Sequence, residues 1–181
     1  MEPILYTITV HSENQVGLLN QISIIFTRRK LNIESLSVSA SAIKGVHKFV
    51  ITVMCDEETV IKVVKQIEKR IDVIRAFYYT DEDIVYQEVA LYKISTANLL
   101  EIGGLEKLVR KYNARVLEIT RTYTIIEKAG HTDETQALFE ALNMYGVLQF
   151  VRSGRVSITR STVEHVDRFL EKQEQRRLAQ E

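Results

Sequence analysis

The sequence predicts an α+β protein: two consecutive β-α-β-β-α-β units followed by a C-terminal helix. Three observations point to it. Blocks that alternate in polarity every second residue are interleaved with blocks of 3.6-residue spacing, in an order that occurs twice. One proline and seven glycines in 181 residues leave little chain for linkers. Apolar residues make up 45% and charged residues 27%, the balance of a soluble globular chain long enough for two small domains.

Residues 5–10 (LYTITV) alternate branched and polar side chains and read as a strand. Residues 17–30 place Leu18, Leu19, Ile22, Ile25 and Phe26 at helical spacing, with Arg28, Arg29 and Lys30 in the last turn, where cations suit the helix dipole. Residues 33–42 and 46–54 alternate again on either side of Lys44-Gly45 and read as a hairpin. Asp56 is a candidate N-cap for a helix carrying Val60, Val63, Val64, Ile67 and Ile71, and residues 73–79 close the unit as a strand. An acidic run at 80–83 leads into a second pass. It predicts a strand at 85–94, a helix within 99–113 interrupted by Gly103-Gly104, and short strands at 115–120 and 122–127. A helix capped by Thr132 or Asp133 and ended by Gly146 follows, then a strand at 147–151 continued at 156–159. Residues 161–181 read as a charged amphipathic helix with Val163, Val166, Phe169 and Leu170. The expected division is a domain at 1–80, a second at 81–160, both of the split-βαβ, ferredoxin-like order, and a helical tail at 161–181.

Lysine plus arginine total 24 and aspartate plus glutamate 24. Up to residue 80 there are 10 basic and 8 acidic residues, and 14 and 16 beyond it, so neither half is a basic platform. With no surplus charge to neutralise a phosphate backbone, nucleic acid is not an expected partner. The strand at 46–54 carries only Phe49 and lacks the aromatic pattern of an RNA-binding sheet. Met1-Glu2-Pro3-Ile4 lacks the basic-then-apolar layout of a secretory signal, and no stretch approaches the roughly 18 apolar residues of a membrane span. A cytoplasmic protein without a membrane partner is expected. Cys55 is the single cysteine, and His11, His47, His131 and His165 are scattered without metal-ligand spacing. No nucleophile-elbow, P-loop or dinucleotide motif is present, so no catalytic or metal residue is expected.

The informative segment is Glu13-Asn14-Gln15-Val16-Gly17-Leu18-Leu19-Asn20-Gln21, followed by Lys30-Leu31-Asn32-Ile33-Glu34-Ser35-Leu36. The first joins a strand to a helix through a glycine at the helix start. Amides there have no internal partner and carry partial positive charge, so they favour a carboxylate. Gly17 has no β-carbon to keep a ligand from the backbone. Asn14 offers a donor and an acceptor, which suits a zwitterion, and Asn32 precedes the second strand. Val16, Leu18 and Ile33 are candidates to line an apolar slot beside them. Asn14 and Asn32 are equally ordinary turn residues, and on spacing alone both readings stand.

The run ENQVGLLNQISIIFTRRKLNIESL resembles the signature of an ACT domain, a small βαββαβ module that binds amino acids. Together with Asp72-Val73-Ile74-Arg75 and Phe150-Val151-Arg152-Ser153-Gly154, it resembles more closely the regulatory (small) subunit of acetohydroxyacid synthase, also called acetolactate synthase, over roughly residues 4 to 161. The resemblance implies a non-catalytic subunit that activates a catalytic large subunit and confers feedback inhibition by valine, or by leucine or isoleucine, in branched-chain amino acid biosynthesis. It implies a homodimer through the ACT domains and an effector site at Asn14, Val16, Gly17, Leu18, Asn32 and Ile33. It places thiamine diphosphate and magnesium, with FAD as an open point, in the catalytic partner and no cofactor in this chain. Which unit meets that partner is open; Arg152, Ser153 and Gly154, with Tyr145 read as exposed, are the candidate contact. His11-Ser12 and the long charged tail depart from the family pattern. The alternative is a stand-alone ACT-type amino-acid sensor acting on another enzyme or on transcription.

Overall fold

A computed structural model describes residues 2–162, and the predicted helix at 161–181 lies almost wholly outside them. Two compact units divide this stretch: residues 2–85 together with 157–162, and residues 86–156. Segment 157–160, read from the sequence as part of the second domain, therefore packs with the first.

The first unit contains strand β1 (Ile4–Glu13), helix α1 (Leu18–Arg28), strands β2 (Ile33–Ala40) and β3 (Val46–Cys55), helix α2 (Glu57–Ile67) and strand β4 (Val73–Tyr79). The sheet order is β2-β3-β1-β4 with all neighbours antiparallel, so β2 is an edge strand. Strand alternation sorts the two faces. Tyr6, Ile8 and Val10 of β1 join Phe49, Ile51 and Val53 of β3 and the apolar stripes of α1 and α2 in one core. Each large side chain buried there contributes about 1.5 to 3 kcal/mol. Thr7, Thr9 and His11 face away from the helices, yet they too are buried. Asp56 caps α2 as the sequence predicts, its carboxylate accepting from the Thr59 amide at 2.8 Å and the Thr59 hydroxyl at 2.8 Å. These bonds hold the Asp56 carboxyl below the usual range.

Helix α1 is shorter than the sequence suggests. Lys30 takes a left-handed φ of 55°, the Lys30 amide donates to Thr27 O and the Leu31 amide to Phe26 O, both at 3.0 Å. This Schellman closure ends the helix and delivers Asn32 to the start of β2.

The second unit holds strand β5 (Ile84–Ser95), helices α3 (Thr96–Ile102) and α4 (Leu105–Lys111), strands β6 (Arg115–Ile119) and β7 (Tyr123–Gly130), helix α5 (Thr132–Leu142) and strand β8 (Val147–Arg152). The order β6-β7-β5-β8 repeats that of the first sheet, and β9 (Val156–Thr159) also pairs with β5. Gly103-Gly104 splits the first helix, as expected. The cap of α5 is His131 rather than Thr132 or Asp133; the Glu134 carboxylate accepts from the His131 amide at 2.8 Å, which lowers the Glu134 pKa. Tyr145, read as exposed, is buried. Its hydroxyl donates to Gly103 O at 2.7 Å and its carbonyl accepts from Asn98 Nδ2 at 3.1 Å, fastening the glycine break to the short 3-10 turn at Asn143–Tyr145.

Candidate functional site

The turn between β1 and α1 is built by its own backbone. The Gln15 amide donates to Glu13 O at 3.0 Å and the Leu18 amide to Gln15 O at 3.4 Å. The first helical bond runs from the Gln21 amide to Gly17 O at 3.1 Å. Gly17 sits at φ 85° and ψ −5°, a left-handed conformation that a side chain disfavours. A β-carbon built there meets nothing within 4 Å, so the space before the turn is open to a guest. Asn14 and Val16 are exposed, Val16 completely. Leu18 is 1% exposed and belongs to the core of the unit, so its side chain lines no slot; only its amide is near the turn.

Asn32 is exposed and donates through Nδ2 to Glu34 Oε1 at 3.1 Å, while Ile33 is half-buried against the core. The register sets the two halves of the predicted site apart. Glu13 pairs with Val46 at one end of β3, whereas Ile33 pairs with Val53 near the other. Seven residues of strand separate those positions, about 23 Å at 3.3 Å per residue. One chain does not bring Asn14 and Asn32 together.

The Arg152-Ser153-Gly154 turn is tied inside its own unit. The Ser153 amide donates to Val89 O and the Val89 amide to Ser153 Oγ, both at 2.9 Å, so the turn extends the pairing of β8 with β5. Arg152 Nη2 donates to Gln136 Oε1 at 3.0 Å, and its Nε lies 3.8 Å from Glu88 Oε2. Glu88 is the focus that sequence reading missed. It is 6% exposed, accepts from Thr132 Oγ1 at 2.8 Å, and has Arg155 Nε 3.6 Å away. The Arg155 guanidinium lies 3.7 Å from the Tyr86 ring centroid, and Tyr86 stacks on His131 at 4.3 Å. Glu88 sits among alternating apolar residues of a strand, so nothing local marks it.

Cys55 is buried, and burial pushes its thiol up, as befits a small apolar residue. Among the described residues, no three His, Cys, Asp or Glu side chains cluster as metal ligands, and no helix is long and apolar enough to cross a membrane.

The βαββαβ unit with its open strand–helix turn is an ACT-type domain: residues 8–75 match the family model described as an AHAS small subunit-like ACT domain. Residues 87–161 match the model described as the small subunit of acetolactate synthase. An acetolactate synthase small subunit from Bacillus subtilis is 32% identical over 158 residues, 86% of this chain and 90% of the relative. A probable acetolactate synthase small subunit from Archaeoglobus fulgidus is 32% identical over 155 residues, 86% of this chain and 96% of the relative. The crystal structure of the acetolactate synthase small subunit from Thermotoga maritima superposes with a TM-score of 0.78 at 26% identity, covering 88% of this chain and 99% of that one. The chain belongs to the family of acetolactate synthase small subunits.

Proposed function

We propose that the protein is the non-catalytic regulatory subunit of acetolactate synthase, activating a thiamine-diphosphate-dependent catalytic large subunit and binding valine for feedback inhibition. The observation that carries the effector site is the placement of the asparagines at opposite ends of a sheet whose edge is β2. An edge strand offers unpaired N–H and C=O groups to a second copy. Two-fold pairing of β2 with its twin runs the strands antiparallel, which brings the Asn32 end of one copy to the Asn14 end of the other. The first unit, residues 2–85 with 157–162, thus acts as the amino-acid-binding domain of a homodimer, and residues 86–156 form the second domain. The carboxylate rests on the amides before α1, where partial positive charge gathers. The ammonium takes oxygen acceptors of Asn14 or of the partner's edge, and the branched side chain lies against Val16 and Ile33. Leucine and isoleucine differ from valine by one methylene, worth about 0.8 kcal/mol, so discrimination among them is modest. A coupling of about 1 to 3 kcal/mol between valine and the dimer arrangement that the catalytic subunit prefers produces 5- to 150-fold inhibition.

Calorimetry tests this with two variants at one position. Gly17→Asp sets a like charge beside the ligand carboxylate, and Gly17→Asn carries the same left-handed backbone without the charge. Loss of valine binding in Gly17→Asp with retention in Gly17→Asn is the expected outcome. Equal binding in wild type and both variants rejects the site. Reconstitution with the catalytic subunit, titrating each branched-chain amino acid, separates a regulatory subunit from a stand-alone sensor, which restores no activity.

A further inference from the structure

In the order β2-β3-β1-β4, the first sheet has β2 at one side and β4 at the other. One bond shows what β4 turns outward. The Ala76 amide donates to Glu68 Oε1 at 3.2 Å, so it points away from β1 and toward the end of α2. Outward and inward groups alternate along a strand, so the Tyr78 amide and carbonyl point the same way. Glu68 is itself held in place. Its amide closes α2 on Val64 O at 3.0 Å, and its Oε1 lies 3.2 Å from Arg75 Nη1. We propose that Glu68 guards this edge: its carboxylate, seated on the Ala76 amide, keeps β4 from pairing with the β4 of a second copy.

The seated oxygen occupies the position that the carbonyl of an added strand would take. The edge otherwise suits a twin. Its sequence, VIRAFYY, is rich in the aromatic and branched residues that favour strands. A hollow of about 210 Å³ lies beside it, lined by Val64 of α2 and by Ala76 and Tyr78. A two-fold axis beside Phe77 sets Ala76 of one copy against Tyr78 of the other, so that both outward positions find partners in an antiparallel pair. To reach that arrangement, the twin must lift the carboxylate off the amide and cover a charged group, which is unfavourable without a new partner. The Glu68 and Arg75 side chains are 27% and 43% exposed, so their ion pair adds little energy and serves to aim the carboxylate.

The guard has a consequence for assembly. A sheet that pairs through one edge closes as a dimer, whereas a sheet that pairs through two edges adds copies without end. Glu68 is a determinant of which edge is used, and its action on β4 does not depend on the pairing of β2 or on valine.

The test is sedimentation velocity on the full chain, over a range of concentrations, in wild type, Glu68→Ala, Glu68→Ser and Glu68→Gln. Circular dichroism checks the fold, and hydrogen exchange is read on the peptide carrying residues 73–79. The expected result is at least a doubling of mass over wild type in Glu68→Ala, rising with concentration, together with slower exchange at 73–79. Glu68→Ser withdraws the acceptor without adding apolar surface and should behave alike; if Glu68→Ala fails to fold, it carries the test. Glu68→Gln keeps an oxygen for the amide and should stay near the wild-type mass. A folded Glu68→Ala or Glu68→Ser of unchanged mass overturns the proposal. So does added mass without slower exchange at 73–79, or association of Glu68→Gln as strong as that of Glu68→Ala. The wild-type mass reports on β2 alone. A dimeric wild type predicts open-ended growth in Glu68→Ala, and a monomeric one, which rejects the β2 pairing, predicts a variant that stops at a dimer.

Discussion

Tyr92 stands at the middle of β5, fully buried, with its hydroxyl donating to Thr135 O at 2.6 Å. Burial pushes its pKa up to about 12. The unfolded chain releases this proton near pH 10 and the folded chain holds it, so the contribution is complete below pH 10 and is lost as pH rises from 10 toward 12. Tyr92→Phe should lower the urea midpoint at pH 8 by the equivalent of about 1 kcal/mol. It should then lose less than wild type between pH 8 and 11, and parallel losses would contradict the assignment. At this scale the sequence is a partial guide. The Asp56 cap is legible because a cap is local. Tyr145 and Leu18 are not, since their burial depends on what a distant part of the chain lays against them. Leu18 has the pattern of a core residue and of a slot residue at once; the core claims it because helix α1 rolls its apolar stripe onto the sheet.

The helices of the two units are bracketed alike. Gly17 precedes α1 at φ 85°, and Gly104 precedes α4 at φ 80°. Lys30 closes the first at φ 55° and Asn113 the second at φ 49°, with the Ala114 amide donating to Val109 O at 2.9 Å just as Leu31 does to Phe26. A β-carbon at Gly104 meets only the Tyr145 hydroxyl, at 3.6 Å, which is ordinary contact. The cost of Gly104→Ala is therefore backbone strain, about 1 to 2 kcal/mol. Urea denaturation should show that loss, with Gly104→Asn milder because asparagine tolerates the left-handed region. Equal stability of all three would mean that the residue relaxes out of its observed φ. Strands, helices and their order were readable from periodicity because each element carries its own pattern. The partner of residues 157–162 was not, because a four-residue strand says nothing about which sheet face it will cover.

Each unit has its own core. Ile8, Ile25, Phe26 and Ile67 pack together in the first, and Tyr92, Ile126, Leu138 and Leu142 in the second. Separate cores make separate cooperative units. Ile8→Ala and Ile126→Ala should each cost about 2 to 5 kcal/mol. In calorimetric melts, each should move one transition and leave the other in place; a single transition shifted by both would show the cores melting as one. The candidate effector site was legible as two motifs but not as a place, since the 17 residues of sequence between Asn14 and Asn32 become nearly the full length of a sheet.

The path of the chain through its first unit also sets an order of manufacture. The ribosome releases residues 2–85 early, but the strip at 157–162 emerges only after the whole second unit has been made. The half synthesised first is thus finished last, and until then Thr7, Thr9 and His11 wait without the strip that returns over their side of the sheet. No single scissor cut yields both halves intact: a gene truncated at residue 85 encodes a sheet with one face still unroofed.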